Sequence, residues 1–554
     1  MKGKKTFSGY VLLCAIAIML GGAFSACSKD SKVDPPQPPK QVPVTIAECA
    51  PADIDVLRMI AKANPQAHLF EGENPEQWKG VLLTWVKDDK GKYAVREFRL
   101  KEDITITDLV LKLDGSKDPK ATLAHLQVID VASAGLKEFI IIGQPMLKTV
   151  RVSGAGKAKM ESIDIQGGKA LKEVTVQAMP QMTEIMLGGD AIDKVALADL
   201  PAFEEQSNLK FRIKDDEAKT EETMIKEFVL KGDLSSLNGL YLRDLGMEKF
   251  VLETVLPELT SLTLNSNKLV GTLELKGMAK LQTLFLGNNQ ISSLKVSECL
   301  ALKELDASNN KALTSVALSL PALTVLDLNE TGMTELDLTS FGALKKVSAY
   351  DSALTSVKFG SQNVKLEQAN LSGNKLSVLD FPKEVQKVYL LTLNNNLLKS
   401  LDVTHMPKME RLLVNDNKLE TLNVSANESD VEYFEDLESK NNHLSAKKLK
   451  EIEERLTELR NWEVAPQSLI GRVDAEKKQI NAAEEITELG LSAVVQKWDD
   501  AQWSDASASD YKLEDGIYTI LGKGKYRVIC TSVLGWKFDS FGRANPYIIG
   551  ELTL

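Results

Sequence analysis

The chain has 554 residues, of which 43% are hydrophobic and 26% charged, and its formal net charge at pH 7 is −11. An acidic chain does not attract nucleic acid or an anionic membrane surface, so both classes of ligand are disfavoured. A basic or neutral partner is favoured, although mild acidity also serves solubility alone.

Residues 1–26 have the organisation of an export signal peptide. Lys2, Lys4 and Lys5 form a charged region, and the apolar stretch that follows, residues 11–20, is too short to remain as a membrane-spanning helix. Small residues then precede a cysteine in Phe24-Ser25-Ala26-Cys27. Removal of the three lysines would leave a mature chain of about −14. An ordinary secretory signal, cut after Ala26, is the alternative interpretation.

The segment around Cys27 resembles the lipobox of bacterial lipoproteins, although Phe24 stands where leucine is usual. The resemblance implies cleavage before Cys27 and a diacylglycerol on its thiol; acyl chains anchor at roughly 0.8 kcal/mol per buried CH₂. The residue after the cysteine is Ser28 and not aspartate, which by resemblance to Gram-negative sorting patterns favours the outer membrane. We therefore predict an exported, lipid-anchored protein of the outer membrane or cell surface, and the side of the membrane that the anchor faces stays open.

Two regions separate the signal from the rest of the chain. Residues 27–45 include Asp34-Pro-Pro-Gln-Pro-Pro-Lys40, which predicts an extended, semi-rigid linker. Residues 46–115 predict an N-terminal cap, with a helical stripe over residues 53–64, then Trp78 and Trp85, then strands over residues 93–100 and 104–113. Such a cap covers the first exposed core of a repeat structure.

Residues 116–445 repeat one phrase, and the clear copies follow one another in steps of 21 or 22 residues, except for the last step. Two of these copies are Leu259-x-x-Leu262-x-Leu264-x-x-Asn267-x-Leu269 and Leu281-x-x-Leu284-x-Leu286-x-x-Asn289-x-Ile291. The ninth position carries a polar side chain throughout: Asn267, Asn289, Asn310, Thr331, Ser352, Asn374, Asn396, Asn417 and Asn442. A buried backbone group without a partner costs roughly 1–3 kcal/mol, so these asparagines are expected to form a structural ladder.

A second apolar phrase follows each asparagine, as in Leu398-x-x-Leu401-x-Val403, and its period of two predicts a short strand instead of a helix. Upstream phrases such as Leu126-x-x-Ile129-x-Val131 keep the apolar spacing but lack the asparagine. We interpret them as degenerate turns of the same solenoid. A separate β-domain is the alternative.

These repeats resemble the leucine-rich repeat superfamily, in the short-repeat style of bacterial internalin-like proteins and Bacteroidetes surface proteins. The predicted fold class is mainly β: a leucine-rich repeat solenoid of about 13–14 turns of 21–22 residues, with an N-terminal cap and a C-terminal β-sandwich. The leucines point inward, and the variable residues between them face solvent.

The end of the chain predicts two further elements. Residues 446–467 predict a capping helix whose apolar face carries Leu449, Ile452, Leu456 and Leu459, with a partner-binding amphipathic helix as the alternative. Residues 468–554 alternate short strands with turns, which predicts a β-sandwich. Gly524-Lys-Tyr526-Arg-Val528 resembles a stretch of bacterial immunoglobulin-like modules.

The motifs of common enzymes and metal sites are missing from the sequence. Cys49, Cys299 and Cys530 are widely separated, and the four histidines lack the spacing of metal ligands. The acidic cluster at residues 498–505 lacks the regular oxygen spacing of a calcium loop. We therefore predict no catalytic residues, no cofactor and no metal, and a protein that is not an enzyme.

Ligand-binding residues are expected among the outward positions of the first strand of each turn, on the concave face of the solenoid. One outward column runs Tyr241, Thr263, Phe285, Asp306, Asp327, Ser348, Asn370, Thr392 and Leu413. Aromatic residues and arginine concentrate binding energy, so the candidates in and beside this column are Tyr241, Phe285, Tyr350, Tyr389 and Arg411.

The predicted function is a surface-anchored binding or adhesion lipoprotein. Its ligand would be a protein or another cell-surface molecule, on a host or on a neighbouring bacterium. Because aromatic faces also suit sugar rings, the alternative is a glycan-capture lipoprotein of an outer-membrane uptake system.

Overall fold

The computed structural model describes residues 43, 45–100, 108–203, 209–211, 224–425, 434–456, 461–464, 467–469, 471–532 and 547–554. The predicted signal, Cys27 and the proline-rich residues 34–40 lie outside the described residues. Within the described ranges, helices are all too short or too polar to cross a membrane.

The cap is built on helix α1 (Pro51–Ala63), with 3₁₀ turns at Ile46–Glu48, Pro65–Ala67 and Pro75–Gln77. Proline suits the first helical position because its missing N–H is not needed there. Two polar side chains join this helix to the strands. The buried Asp53 carboxylate accepts a hydrogen bond from the Val95 N–H at 2.7 Å. Asn64, at the end of the helix, accepts from the N–H of Val110 and donates to its carbonyl, both at 2.7 Å.

The first half of the solenoid contains two parallel sheets on opposite sides of the core. Its strands are β1 (Val81–Lys87), β2 (Tyr93–Leu100), β3 (Leu109–Asp114), β4 (Val128–Ala132), β5 (Leu136–Gln144), β6 (Thr149–Ser153), β7 (Ser162–Gly167), β8 (Glu173–Gln177), β9 (Glu184–Gly188), β10 (Ala191–Ala198), β11 (Leu209–Phe211), β12 (Met224–Lys231), β13 (Gly239–Tyr241) and β14 (Lys249–Glu253). An eight-stranded sheet has the order β1-β2-β4-β6-β8-β10-β12-β14, parallel except for the β1–β2 pair. A five-stranded sheet has the order β11-β9-β7-β5-β3.

The second half adds three-residue strands on one side and slightly longer ones on the other. They are β15 (Ser261–Thr263), β16 (Val270–Lys276), β17 (Thr283–Phe285), β18 (Gln290–Ser297), β19 (Glu304–Asp306), β20 (Ser315–Leu318), β21 (Val325–Asp327), β22 (Glu335–Asp337), β23 (Lys346–Ser348), β24 (Ser356–Lys358), β25 (Gln368–Asn370), β26 (Leu390–Thr392), β27 (Ser400–Val403), β28 (Arg411–Leu413), β29 (Thr421–Val424), β30 (Asp436–Glu438) and β31 (Asn461–Glu463). An eleven-stranded parallel sheet, named here the long sheet, has the order β13-β15-β17-β19-β21-β23-β25-β26-β28-β30-β31. The strands β16-β18-β20, β22-β24 and β27-β29 form the other side.

Successive turns stack in register, so that each leucine packs on its counterpart in the next turn. Leu262 pairs with Leu284, and Leu284 with Leu305, and all three are buried. The predicted fold is thereby confirmed: the chain is mainly β and forms a leucine-rich repeat solenoid of about 14 turns. Strands on both sides of the turn, instead of helices, also follow the prediction.

The upstream phrases belong to the solenoid, but they lie in a different sheet from the phrases that carry the asparagines. Ile129 lies on β4 of the eight-stranded sheet, whereas the asparagine-bearing phrases build the long sheet. The eight-stranded sheet continues into the side of the solenoid that is formed by the second phrase of each turn. At its last strand, the Lys268 N–H donates to the Met247 carbonyl at 2.8 Å, and the Val270 N–H donates to the Glu248 carbonyl at 3.4 Å. Both carbonyls lie just before β14. Both phrases bury alternate residues, so their leucine spacing is the same. The boundary predicted at residue 115 also falls after β2 and β3, which are already solenoid strands.

The end of the solenoid combines a helix with one more strand. Helix α2 (Ala446–Arg455) has Ser445 as its N-cap, and the Ser445 hydroxyl accepts from the Lys448 N–H at 3.3 Å. It is shorter than predicted, and the predicted helical residue Leu459 lies outside the described residues. Strand β31 then joins the long sheet, so the predicted capping segment, residues 446–467, contains a further turn.

The last region consists of two four-stranded antiparallel sheets. Its strands are β32 (Val473–Asp474), β33 (Gln479–Asn481), β34 (Ser492–Trp498), β35 (Trp503–Asp505), β36 (Tyr511–Glu514), β37 (Ile517–Ile520), β38 (Lys525–Ser532) and β39 (Tyr547–Thr553), with a π-helical turn at Glu484–Glu488. One sheet has the order β32-β33-β37-β36 and the other β35-β34-β38-β39. The Tyr518 hydroxyl links them by donating to the Ala493 carbonyl at 3.1 Å. The immunoglobulin-like assignment stays a prediction.

Candidate ligand-binding face

An asparagine ladder fixes each turn to the one before it. The Asn289 amide donates to the carbonyls of Leu264 and Leu286, at 3.0 and 2.9 Å, and its oxygen accepts from the Leu269 N–H at 3.0 Å. The same bridging contacts are made by Asn267, Asn310, Asn374, Asn396, Asn417 and Asn442. Hydroxyls replace the amide in two turns, where Thr331 and Ser352 both donate to the Leu328 carbonyl, at 3.0 and 3.1 Å.

Three further buried side chains also bond backbone groups between turns, and sequence reasoning missed them. Gln144, Asn363 and Gln467 are fully buried, and each donates to backbone carbonyls. Gln467 also accepts from the Leu444 N–H at 3.0 Å. It follows Asn442 by the same 25 residues that separate Asn442 from Asn417, a spacing that could have revealed it.

The residue before each ladder asparagine has left-handed backbone geometry. Asn288 and Asn309 have φ of 57° and 52°, and Asp416 has φ of 56°. This conformation favours asparagine, aspartate and glycine, which explains the residue types that precede the ladder. A fixed turn at this point also fixes the direction of the outward side chains on the preceding strand.

The outward positions of the long sheet form two columns, named here the recognition face. The first column runs Gly239, Ser261, Thr283, Glu304, Val325, Lys346, Gln368, Leu390, Arg411, Asp436 and Asn461. The second runs Tyr241, Thr263, Phe285, Asp306, Asp327, Ser348, Asn370, Thr392, Leu413, Glu438 and Glu463. Neighbouring strands lie about 4.8 Å apart, so the face extends for roughly 50 Å. Neither column repeats, in contrast to the leucines beneath.

Two of the aromatic candidates lie near one end of the recognition face. Tyr241 is 45% exposed, and its ring lies over Gly239, where an added Cβ would approach the ring to 3.1 Å. Phe285 is partly buried two strands further along, roughly 10 Å away, with Thr263 between them. The two rings therefore lie on either side of Thr263 on the recognition face.

The other three candidates lie further along and make contacts within the chain. The Arg411 guanidinium binds the Asp436 carboxylate through two nitrogens, Nε at 3.0 Å and Nη2 at 2.9 Å. Tyr389 precedes β26, and its hydroxyl is bonded to the Gln368 side chain. Tyr350 follows β23, and its N–H donates to Asn329 at 2.9 Å.

The five candidates do not converge on one pocket. Eight strand steps, roughly 38 Å, separate Tyr241 from Arg411. Such a spread suits an extended macromolecular ligand better than a small molecule.

An acidic group of three residues lies directly beside Phe285. Glu304 and Asp306 are the outward residues of β19, and Asp327 is on the adjacent strand β21. Within the described ranges, these three carboxylates have no cation within salt-bridge distance. Asp306 and Asp327 accept backbone hydrogen bonds from Ser308 and Asn329, at 2.8 and 3.0 Å.

The electrostatic state of Asp327 reflects this neighbourhood. Burial raises the pKa of the Asp327 carboxyl above its ordinary value of 3.8, and repulsion from Asp306 raises it further. The hydrogen bond from the Asn329 N–H and, more weakly, the charge of Lys346 lower this pKa. The group therefore presents negative charge that no ion pair within the described residues neutralises, and sequence reasoning had noted Asp306 and Asp327 only as part of a column.

The eight-stranded sheet has an outward surface of the opposite character. Arg151 binds Glu173 at 2.9 Å, and Glu227 lies between Lys194 and Lys249, at 3.6 and 3.3 Å. These charges alternate from strand to strand and neutralise one another. Charge recognition therefore points to the long sheet.

The described residues also include buried cysteines and one shallow depression. Cys49, Cys299 and Cys530 are free thiols, and burial raises the pKa of Cys49 to about 11 and of Cys530 to about 12. A depression of about 280 Å³ on the five-stranded sheet is lined by Glu138, Asp164 and their neighbours. In this part of the chain, His, Cys, Asp and Glu side chains form no group that could hold a metal ion.

Comparison with known proteins gives limited matches. No protein-family model matches the chain. A curated relative, a Roc-COR-CHAT protease from an unknown prokaryotic organism, is 32% identical over 171 residues, which are 29% of this chain and 16% of that protein. The matched part is thus a small fraction of that relative's length.

Solved structures with a similar fold include three bacterial leucine-rich repeat proteins. YopM from Yersinia enterocolitica WA-314 is 17% identical, with 67% of this chain and 81% of that chain covered and a TM-score of 0.34. The functional domain of InlJ from Listeria monocytogenes is 15% identical, with 81% and 89% covered and a TM-score of 0.39. A leucine-rich repeat protein from Bacteroides thetaiotaomicron VPI-5482 is 12% identical, with 76% and 62% covered and a TM-score of 0.30. The fold assignment itself rests on the strand register and the asparagine ladder of this chain.

Proposed function

We propose that the chain is a surface-anchored binding protein that recognises a protein or cell-surface ligand through the recognition face of the long sheet. The observation that carries this proposal is the acidic group of Glu304, Asp306 and Asp327 beside Phe285, which makes no ion pair within the described residues. A solenoid needs its leucines and asparagines to fold, but its stability does not require three unpaired carboxylates on adjacent strands. Like charges on neighbouring strands weaken the sheet, so their presence calls for a function.

The chemistry of the face defines the partner. Three carboxylates attract lysine or arginine side chains and would speed the encounter with a basic surface. Phe285 and Tyr241 supply apolar contact area next to them, where binding energy concentrates. The partner that fits is a protein surface that carries basic residues around an apolar or aromatic side chain.

The export signal and Cys27 complete the proposal. A lipid anchor followed by a proline-rich spacer would hold the solenoid away from the membrane surface, where a large partner can reach its face. The proposal therefore combines adhesion or recognition with attachment to the outer membrane or cell surface.

The test uses a matched pair of variants that the chain itself offers. Glu-Leu-Asp occurs on β19 as residues 304–306, on the recognition face, and on β22 as residues 335–337, on the other side of the solenoid. The double variant E304Q/D306N removes charge from the face, and E335Q/D337N removes the same charge elsewhere. Both proteins, and the unchanged chain, are titrated against immobilised extracellular-matrix proteins and against a displayed peptide library sorted by net charge.

The proposal expects saturable, salt-sensitive binding to basic partners. E304Q/D306N and F285A should each weaken it at least tenfold, while E335Q/D337N leaves it unchanged. Equal losses in both double variants, or the lack of saturable binding to any basic partner, would overturn the proposal.

A further inference from the structure

The C-terminal sandwich carries a second surface, unrelated to the recognition face. Trp498 on β34 and Trp503 on β35 are directly paired across the hairpin, with ring centroids 5.5 Å apart at an angle of 62°. In the connecting loop, the Asp499 carboxylate accepts from the N–H groups of Ala501 and Gln502, at 3.1 and 2.8 Å. Both indoles lie on the outer surface of the sheet and are partly buried.

Arg527 on β38 completes this cluster and is held in place from two sides. Its guanidinium carbon lies 4.3 Å from the centre of the Trp503 ring. Its Nε and Nη2 both donate to the Gln496 side-chain oxygen, at 2.9 and 2.7 Å. Both partners are neutral, so they orient the guanidinium without cancelling its charge.

Two carboxylates near Arg527 are already engaged, and the first, Asp505, accepts from the Gln496 side-chain amide at 3.3 Å. Glu551, opposite Arg527 on β39, binds the Lys525 ammonium at 3.1 Å. Within the part of the chain that the structure describes, no carboxylate lies within salt-bridge distance of Arg527. Burial lowers the pKa of the Arg527 guanidinium from its ordinary value, and the charge of Glu551 raises it more weakly. The remaining N–H donors of a planar guanidinium match the two oxygens of a carboxylate.

The indoles indicate what else the ligand carries. Arg527 and Lys525 both lie over the Trp503 ring, at 4.3 and 5.1 Å from its centre, whereas the Trp498 ring has no cation over it among the described residues. An aromatic face of this kind packs against the C–H face of a sugar ring. The cluster spans only three strands, roughly 10 Å, which is the scale of one or two sugar rings. A peptide strand is a poorer fit, because Trp498 and Arg527 lie on strands whose backbone is already paired on both edges.

We propose that this cluster is a binding site for an acidic carbohydrate, with Trp498 stacking on the sugar ring, Arg527 binding the sugar carboxylate, and Trp503 and Gln496 positioning Arg527. This site is independent of the recognition face, and it places glycan recognition in the sandwich instead of the solenoid.

The experiment is an array of oligosaccharides that contain uronic or sialic acid, each printed beside its carboxyl-reduced counterpart and probed with the full chain. We expect binding to at least one acidic glycan and a loss of at least tenfold on reduction of its carboxyl group. R527Q and W498A should each lose at least tenfold. R527K keeps the charge without the planar fork and should fall between R527Q and the unchanged chain.

Three controls separate binding from folding and from the first site. K512Q removes a cation from β36 of the other sheet and should leave glycan binding unchanged, and so should E304Q/D306N on the recognition face. Thermal melting identifies any variant that fails to fold, and R527K then carries the test. Lack of binding to every acidic glycan, equal binding of a glycan and its reduced form, or full binding by R527Q would each overturn the proposal.

Discussion

At the scale of single residues, the ladder asparagines stabilise the fold more than their neighbours in the sequence do. Asn289 bonds four backbone groups of two turns, and it is buried. Asn289→Ala leaves the Leu269 N–H and three carbonyls without that partner, so we expect a loss of about 1–3 kcal/mol in the free energy of unfolding. Chemical denaturation followed by circular dichroism measures it.

The control for this variant is the next residue, Gln290, which is exposed on β18. Gln290→Ala should change the free energy of unfolding by less than about 0.5 kcal/mol. Equal stability of the two variants would show that the amide contacts contribute nothing.

Asp327 predicts a pH dependence of stability. Its folded pKa is raised above the ordinary 3.8, so the folded state binds the proton more tightly than the unfolded state does. This group therefore favours folding at low pH, and its contribution is lost as the pH rises from about 3.8 through the folded pKa. Asp327→Asn keeps an oxygen for the Asn329 N–H and removes the charge, so the variant should be at least as stable as the unchanged chain at pH 7.

The measurement is the free energy of unfolding at several pH values from 3.5 to 7. The difference between Asp327→Asn and the unchanged chain should grow in favour of the variant as the pH rises. A variant that is less stable at pH 7 than at pH 4, relative to the unchanged chain, would contradict the raised pKa.

At the scale of elements, the sequence predicts the buried positions that recur in every turn. Leu262, Leu284 and Leu305 lie where their spacing places them, because in-register stacking requires one buried residue at the same position of each turn. The phase of the upstream turns was not predictable, since both strands of a turn bury alternate residues and Ile129 satisfies either reading. Only the hydrogen bonds between turns decide which sheet such a strand joins.

The candidate site was predictable to a similar degree. The outward columns follow from the period, and Tyr241 and Phe285 were identified from it. The pairing of Arg411 with Asp436 was not, because Asp436 follows Arg411 by 25 residues, whereas the regular step is 21 or 22 residues. The charge balance of Glu304 and Asp306 likewise depends on which cations reach them, which only the structure shows.

The joint between solenoid and sandwich contains a buried ion pair. Glu485, in the π-helical turn, is fully buried, and Arg472 binds it at 3.3 Å and Glu484 at 2.8 Å. Burial raises the pKa of Glu485, and Arg472 lowers it. Arg472→Met leaves this carboxylate without its cation, and we expect the sandwich to lose about 3–5 kcal/mol at pH 7.

The loss should be smaller at pH 5, where the unpaired carboxyl is more easily protonated. The double variant Arg472→Met with Glu485→Leu removes both charges and should recover most of the stability. Denaturation followed by tryptophan fluorescence measures the stability, and Trp498 and Trp503 contribute the signal from the sandwich. A double variant as unstable as the single one would show that packing, not charge, is lost.

At the scale of the whole molecule, the backbone connects the last turn to the sandwich. The Ser468 N–H donates to the Asn442 carbonyl at 2.8 Å, and the Ile548 N–H donates to the Gln467 carbonyl at 3.1 Å. The Tyr547 hydroxyl also bonds the Leu444 carbonyl at 3.4 Å. Gln467 thus acts as the last ladder residue and as the first contact of the sandwich. The acidic recognition face and the Trp498–Arg527 cluster are therefore presented by one connected body.

The proposed anchor determines where this body acts, and Cys27 tests it. Cys27→Ser removes the thiol that would carry diacylglycerol, so the protein should leave the membrane fraction and lose incorporation of a labelled fatty acid. Cys49→Ala is the matched control, because that thiol is buried and its pKa is raised to about 11, which makes it a poor acceptor. Fractionation of cells that express each variant measures the outcome. Membrane retention of Cys27→Ser with undiminished label would refute acylation at Cys27, and loss of label from Cys49→Ala would place the lipid elsewhere.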